Sequence, residues 1–151
     1  MANRLSTIAS DLAEDLERRP STQLRKVATA AALLAVDRTK LVDPRLDAAL
    51  AAMREDAAGN GAERSAASSV TEELDETAWD IQEKVDAGTQ SQQAYLEAFR
   101  RARAAASVYF ALDSNPLDAA REAVYEAEAA VGDLEAIRTA ISPAMANWSR
   151  D

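Results

Sequence analysis

Seven carboxylates and one lysine crowd the segment from Thr71 to Asp86, TEELDETAWDIQEKVD. Carboxylates at this density have two chemical uses: ligating a hard cation such as Mg²⁺, or attracting a basic surface. At 100° per residue, Leu74, Ala78, Ile81 and Val85 share one side of the predicted helix, and Glu72, Asp75, Glu76, Glu83 and Asp86 project from the other. Trp79 projects among the acids. A tryptophan on a charged face is costly unless covered, and tryptophan is enriched at binding hot spots. Trp79 is therefore either covered by another helix or the C-terminal segment, or it anchors a partner site. The charges by themselves equally describe a solvated helix face.

Glu73-x-x-Glu76 and Glu83-x-x-Asp86 each set two acids on neighbouring turns. This pairing is similar to that of the helical nucleotide pyrophosphatases, which bind Mg²⁺ through ExxE and ExxD pairs. The resemblance implies a Mg²⁺-dependent nucleotide hydrolase using the 72–86 carboxylates. In that family the pairs come from different, facing helices, whereas here one helix carries both. Other catalytic chemistry is scarce, because a chain without Cys or His has no thiolate or imidazole nucleophile, base or metal ligand. No enzyme activity is expected on these grounds, and no catalytic, cofactor-binding or metal residue is assigned.

Arg100, Arg101 and Arg103 form the basic cluster of the sequence. A phosphate-binding row needs its cations on one face, and these scatter around the helix. Arg101 follows Glu97 at i, i+4 and is expected to pair with it. Arg103 is expected to reach a carboxylate of the segment holding Glu122, Glu126 and Glu128. The net charge of −9 and pI near 4.6 repel nucleic acid and anionic membrane and favour a basic partner.

The elements that must carry these residues are helices. Thirty-six of 151 residues are alanine, while Gly and Pro number four each, a composition that favours helix throughout. Alanine with 14 arginines against three lysines also suggests a GC-rich bacterial genome. Leu5, Ile8, Leu12 and Leu16 predict a first helix over 3–18, stopped by Pro20. A second runs over 22–39, capped by Ser21 or Thr22, and a third follows the Asp43-Pro44 cap. Ala66, Val70, Leu74, Ala78, Ile81 and Val85 hold one phase over 62–87, with Gly59-Asn60-Gly61 as the turn before and Gly88 closing the helix.

The 91–112 stretch is expected to be the central helix. It places Tyr95, Phe99, Ala102, Ala106, Tyr109 and Phe110 on one packed face, so that Phe99→Ala should destabilise severely. Asn115-Pro116 starts a helix predicted to pass through Gly132 to about Ile141, with Gly132→Ala neutral or stabilising. Ser142-Pro143 ends it, and Met145 and Trp148 fold back as a terminal turn. The expected fold is all-α, a single-domain helical bundle of about six to eight helices over 1–151.

LVDPRLDAALAAM, then YLEAFRRARAAASVYFALD and an Ala/Glu-rich helix, resemble small all-helical bacterial domains over roughly residues 24–130. These domains include uncharacterised families and immunity proteins of polymorphic toxin systems. The resemblance implies a binding role and names no site. The expected function is a cytoplasmic protein–protein interaction module, an immunity or antitoxin-like inhibitor capturing a basic partner such as a toxin domain. Trp79, Glu72, Asp75, Glu76, Glu83 and Asp86 form the expected partner-binding set. The alternatives are the Mg²⁺-dependent nucleotide hydrolase and a self-associating helical scaffold, that is, a homodimer. No cofactor, nucleic acid or membrane is expected. The first residues lack the uninterrupted apolar segment of a secretory signal, and the run Val27 to Val36 is about half of a membrane span.

Overall fold

The computed structural model describes residues 3–55 and 61–146. Its seven α-helices are α1 (Ser10–Glu17), α2 (Ser21–Thr39), α3 (Asp47–Arg54), α4 (Gly61–Asp86), α5 (Gln92–Ala111), α6 (Pro116–Val131) and α7 (Leu134–Met145). Turns of 3₁₀ helix at Arg4–Thr7 and Pro44–Leu46 lead into α1 and α3. The described residues are 83% helical and all-α. The turn residues Gly59 and Asn60, and Trp148, lie outside the described residues.

Alanine decides how these helices meet. Ala28, Ala31, Ala32 and Ala35 of α2, Ala104, Ala105 and Ala111 of α5, and Ala119, Ala120, Ala123 and Ala127 of α6 are all buried in one cluster. Methyl groups at the contacts let the three backbones approach closely, so α2, α5 and α6 form the inner layer. The approach is close enough that the Ser107 hydroxyl donates to the Ala123 carbonyl oxygen across α5 and α6 at 2.9 Å. Larger side chains, among them Leu5, Leu16, Met53, Leu112, Ile137 and Ile141, complete the core. The outer elements lie around this layer, with α7 on α2, α1 and its 3₁₀ turn on α6, and α4 chiefly on α5.

The helix boundaries correct the sequence reading in four places. The first predicted helix is broken at Ile8 and Ala9. Asn3 caps the 3₁₀ turn, and the Ser6 and Thr7 hydroxyls donate back to the carbonyls of Asn3 and Arg4, which competes with the helical ladder. The α2 N-cap is Pro20, without a side-chain cap, so Ser21 is already helical. The helix predicted to run through Gly132 ends there instead. Gly132 has φ +74°, and the Asp133 side chain accepts from the Ala136 N–H to start α7. Pro143 lies inside the last turn of α7, where few ladder bonds remain to be lost, and the helix ends at Met145.

Other local signals hold. Helix α4 is continuous through Ser68 and Ser69. It ends in a Schellman turn, with Gly88 at φ +80° and the Thr89 N–H reaching the Lys84 carbonyl at 2.8 Å. The Ser91 and Asn115 side chains cap α5 and α6. Helix α5 packs against α4, α6 and α2 as a central element. Its side in the main core is Ala104, Ala105, Val108 and Leu112; of the expected face Ala102 and Ala106 are buried, whereas Tyr95, Phe99, Tyr109 and Phe110 are only half-buried. Tyr109 and Phe110 lie along the edge of the alanine contacts.

Two stability outcomes follow. Gly132→Ala should lower the melting temperature, costing roughly 1–2 kcal/mol for a β-carbon in left-handed backbone. The added Cβ would meet the Arg100 side chain at only 3.6 Å, an ordinary contact, so Gly132→Asn should lose less. Leu112→Ala, at 0% exposure, should cost about 2–5 kcal/mol, and Phe99→Ala distinctly less. Equal losses in thermal melts would contradict this placing of the packed face.

Candidate functional site on the α4 face

Relative to Trp79, the side chains of Glu72, Asp75, Glu76, Glu83 and Asp86 fall within an arc of about 100° on α4, taking 100° per residue. The structure therefore displays all six expected site residues on one helix face. Trp79 is 69% exposed. Its indole forms an open shelf with Asp75, Glu76 and Asp80 around a cavity of about 360 Å³.

Asp75 also belongs to a second cavity of about 300 Å³, lined by Ser68, Thr71 and Glu72 from α4, Arg103 and Phe110 from α5, and Glu126 from α6. Arg103 forms its floor. Its guanidinium donates to Asp75 at 2.7 Å and to Glu126 at 3.0 Å, and it stands 5.7 Å from the Phe99 ring centroid. Burial disfavours the Arg103 charge, but the bonds to Asp75 and the field of Glu126 outweigh it and hold the pKa above its ordinary value.

Glu126 is 2% exposed and is shared by two arginines. Arg4 approaches from the opposite side, donating to Glu126 at 2.9 Å and also to Glu122, with its guanidinium 4.4 Å from the Tyr125 ring centroid. One buried carboxylate thus ties the N-terminal 3₁₀ turn, α5 and α6 together, and Arg103 extends the tie to α4. The sequence pattern indicates the Arg103 partner among Glu122, Glu126 and Glu128. It carries no signal for Arg4, which lies 122 residues from Glu126.

The other acids differ in their partners. Glu73 leaves the Trp79 face and binds Arg45 at 2.7 Å, which also holds Asp43, so both carboxylates titrate below their usual range. Asp86 accepts from Gln82 at 2.9 Å. Among the described residues, Glu72, Asp80, Glu76 and Glu83 have no side-chain hydrogen bond or ion pair. The expected Arg101–Glu97 pair does not form; Arg101 donates instead to the Thr39 carbonyl at 3.2 Å, at the end of α2. Tertiary contact offers Arg101 a helix-terminal carbonyl without an intrahelical partner, which the helix pattern cannot show.

Among the described residues no group of three or more acidic side chains is placed to hold a metal ion. The Glu73-Glu76 pair is divided, since Glu73 turns to Arg45. Among the described residues, too, no helix is long and apolar enough to cross a membrane. No protein-family model matches this chain, and no curated protein or solved structure matches it either.

The Glu126 hub has a measurable consequence. Glu126→Ala leaves two guanidinium groups short of a carboxylate, and breaking a buried ion pair costs roughly 3–5 kcal/mol. The loss should fall at the low end, because Asp75 still holds Arg103 and Glu122 still holds Arg4. Asp75→Asn, at a position whose side chain is 49% exposed, should cost less than about 1 kcal/mol. Denaturant melts of the two variants check the difference.

Proposed function

We propose that the chain is a protein–protein interaction module that captures a basic partner through the acidic α4 face centred on Trp79. The observation that carries this reading is Trp79 itself, 69% exposed beside Glu72, Glu76, Asp80 and Glu83, carboxylates with no cation partner within the described chain. Such a face gives rapid, salt-sensitive encounter from its charges and slow dissociation from its aromatic anchor. Stability alone does not account for the charges. Glu83 and Asp86 sit in the last turns of α4, at the negative end of the helix dipole, where each acid is unfavourable by roughly 0.3–1 kcal/mol. The particular form proposed is a cytoplasmic immunity or antitoxin-like inhibitor, with a toxin domain as the basic partner.

The test compares parent and Trp79→Ala protein as baits for partners in lysate, followed by binding kinetics on the protein retained. Trp79→Ala should leave the thermal melt unchanged. It should weaken binding by about 2 kcal/mol, roughly 30-fold in Kd. Reversing Glu76 and Glu83 to Lys should mainly slow association and flatten its salt dependence. A partner held equally by both baits would put the site elsewhere. A concentration-dependent dimer of the parent that Trp79→Ala abolishes would assign the face to a second copy.

A further inference from the structure

The α4–α5 hairpin extends beyond the helices that support it. Arg101 meets the C-terminal end of α2, and Arg100 lies against Gly132 at the end of α6. Glu97 still lines a cavity with Thr39 and Val131 at those two helix ends, and the turn of α5 before it projects past α2 and α6. Of residues 79–86 and 92–99 in this arm, only Ala98 is buried. Two helices alone cannot cover both of their flanks.

The register of the arm follows from one bond. Asp75 binds Arg103 across the hairpin. In antiparallel helices a step of seven residues toward the base pairs Ser68 with Phe110, and both do line the same cavity. A step of four toward the tip sets Trp79 level with Phe99, and a second sets Glu83 level with Tyr95. The α5 wall thus presents an aromatic row, Phe99 and Tyr95, with ring centroids 6.0 Å apart. The α4 wall presents Trp79 flanked by carboxylates. From the Asp75–Arg103 bond to the tip the two walls run about 17 Å, or three helical turns at 1.5 Å per residue.

We infer that the partner is held as a basic amphipathic helix in this trough, its apolar side on Phe99, Tyr95 and Trp79 and its lysines or arginines on the α4 carboxylates. The inference rests on the interaction reading above and specifies its occupant. Charge complementarity selects a basic segment, since Glu72, Glu76 and Glu83 lack partners within the described chain. It disfavours a second copy, whose arm carries the same excess of acid. Shape selects a helix, because two parallel walls with side chains repeating every four residues accept a third helix by ridge-and-groove packing. An extended strand would find no unpaired backbone edge, as both walls are helical.

The probe is a 14-residue peptide of leucine and lysine with its leucines at i, i+3, i+4 and i+7, compared with an isomer whose leucines are spread around the helix. Calorimetric titration of the full chain should show the amphipathic peptide binding at least tenfold more tightly. Circular dichroism should show it gaining helix on binding, and amide shifts should move along both 72–86 and 92–103. Trp79→Ala should weaken it tenfold or more. Equal binding of the two isomers, with a tenfold loss in Trp79→Ala, would overturn the helical occupant and leave the basic-partner reading standing. Affinities insensitive to Trp79→Ala would overturn both. Amide shifts confined to α4, or no binding of either peptide, would also overturn the helical occupant, and the lysate comparison would then decide the broader reading on its own.

Discussion

The close approach of α2, α5 and α6 through alanine is the constraint on which the other features depend. Small side chains bring backbones together but contribute little buried area each, so stability comes from many short-range contacts and from the leucine, isoleucine and methionine side chains around them. The same approach leaves no room for rings. Tyr109 and Phe110 lie at the edge of the α5 contact surface, and Phe99 and Tyr95 lie farther along α5 in the arm, all half-buried. Phe99 and Tyr95 form one wall of the trough beside α4.

Polar ties hold the periphery to this interior. Glu126 would be costly as a lone buried charge, and two arginines from distant parts of the chain satisfy it. Both arginines also meet aromatic rings, Arg4 that of Tyr125 and Arg103 that of Phe99, and each reaches a second carboxylate near the surface. Arg103 links α4 to Glu126 of α6, while α4 itself packs chiefly on α5. On the opposite side, Arg45 joins Asp43 to Glu73 and fastens the Pro44–Leu46 turn to α4. Helix α4 is therefore anchored near residues 73–75, and its C-terminal half continues with α5 as an arm.

That anchoring divides the carboxylates of α4 by role. Glu73 and Asp75 are engaged in holding the helix. Glu72, Glu76 and Glu83 remain uncommitted around Trp79 and give the arm its charge. A surface of this kind combines long-range attraction with a rigid apolar anchor, and the flank of aromatic residues on α5 supplies further area for a partner to cover.

The sequence by itself determined what depends on neighbours along the chain. Helical periodicity, the Asn115-Pro116 cap, the Gly88 stop and the shared face of Trp79 with its acids all follow from spacing within a few residues, and each is found. Tertiary structure decided whatever depended on distance or on competing local bonds. Apolar spacing continues across Gly132, but a left-handed glycine followed by an aspartate cap breaks the helix there, because α7 packs on α2 instead of extending α6. Arg101 meets the Thr39 carbonyl at the end of α2 instead of Glu97, a contact between helices distant in the chain. Periodicity marks which side of a helix is apolar, but not which apolar residues fit a close contact. That choice belonged to tertiary packing, which buried the alanines of α5, left Phe110 half-buried at their edge and set Phe99 out in the arm.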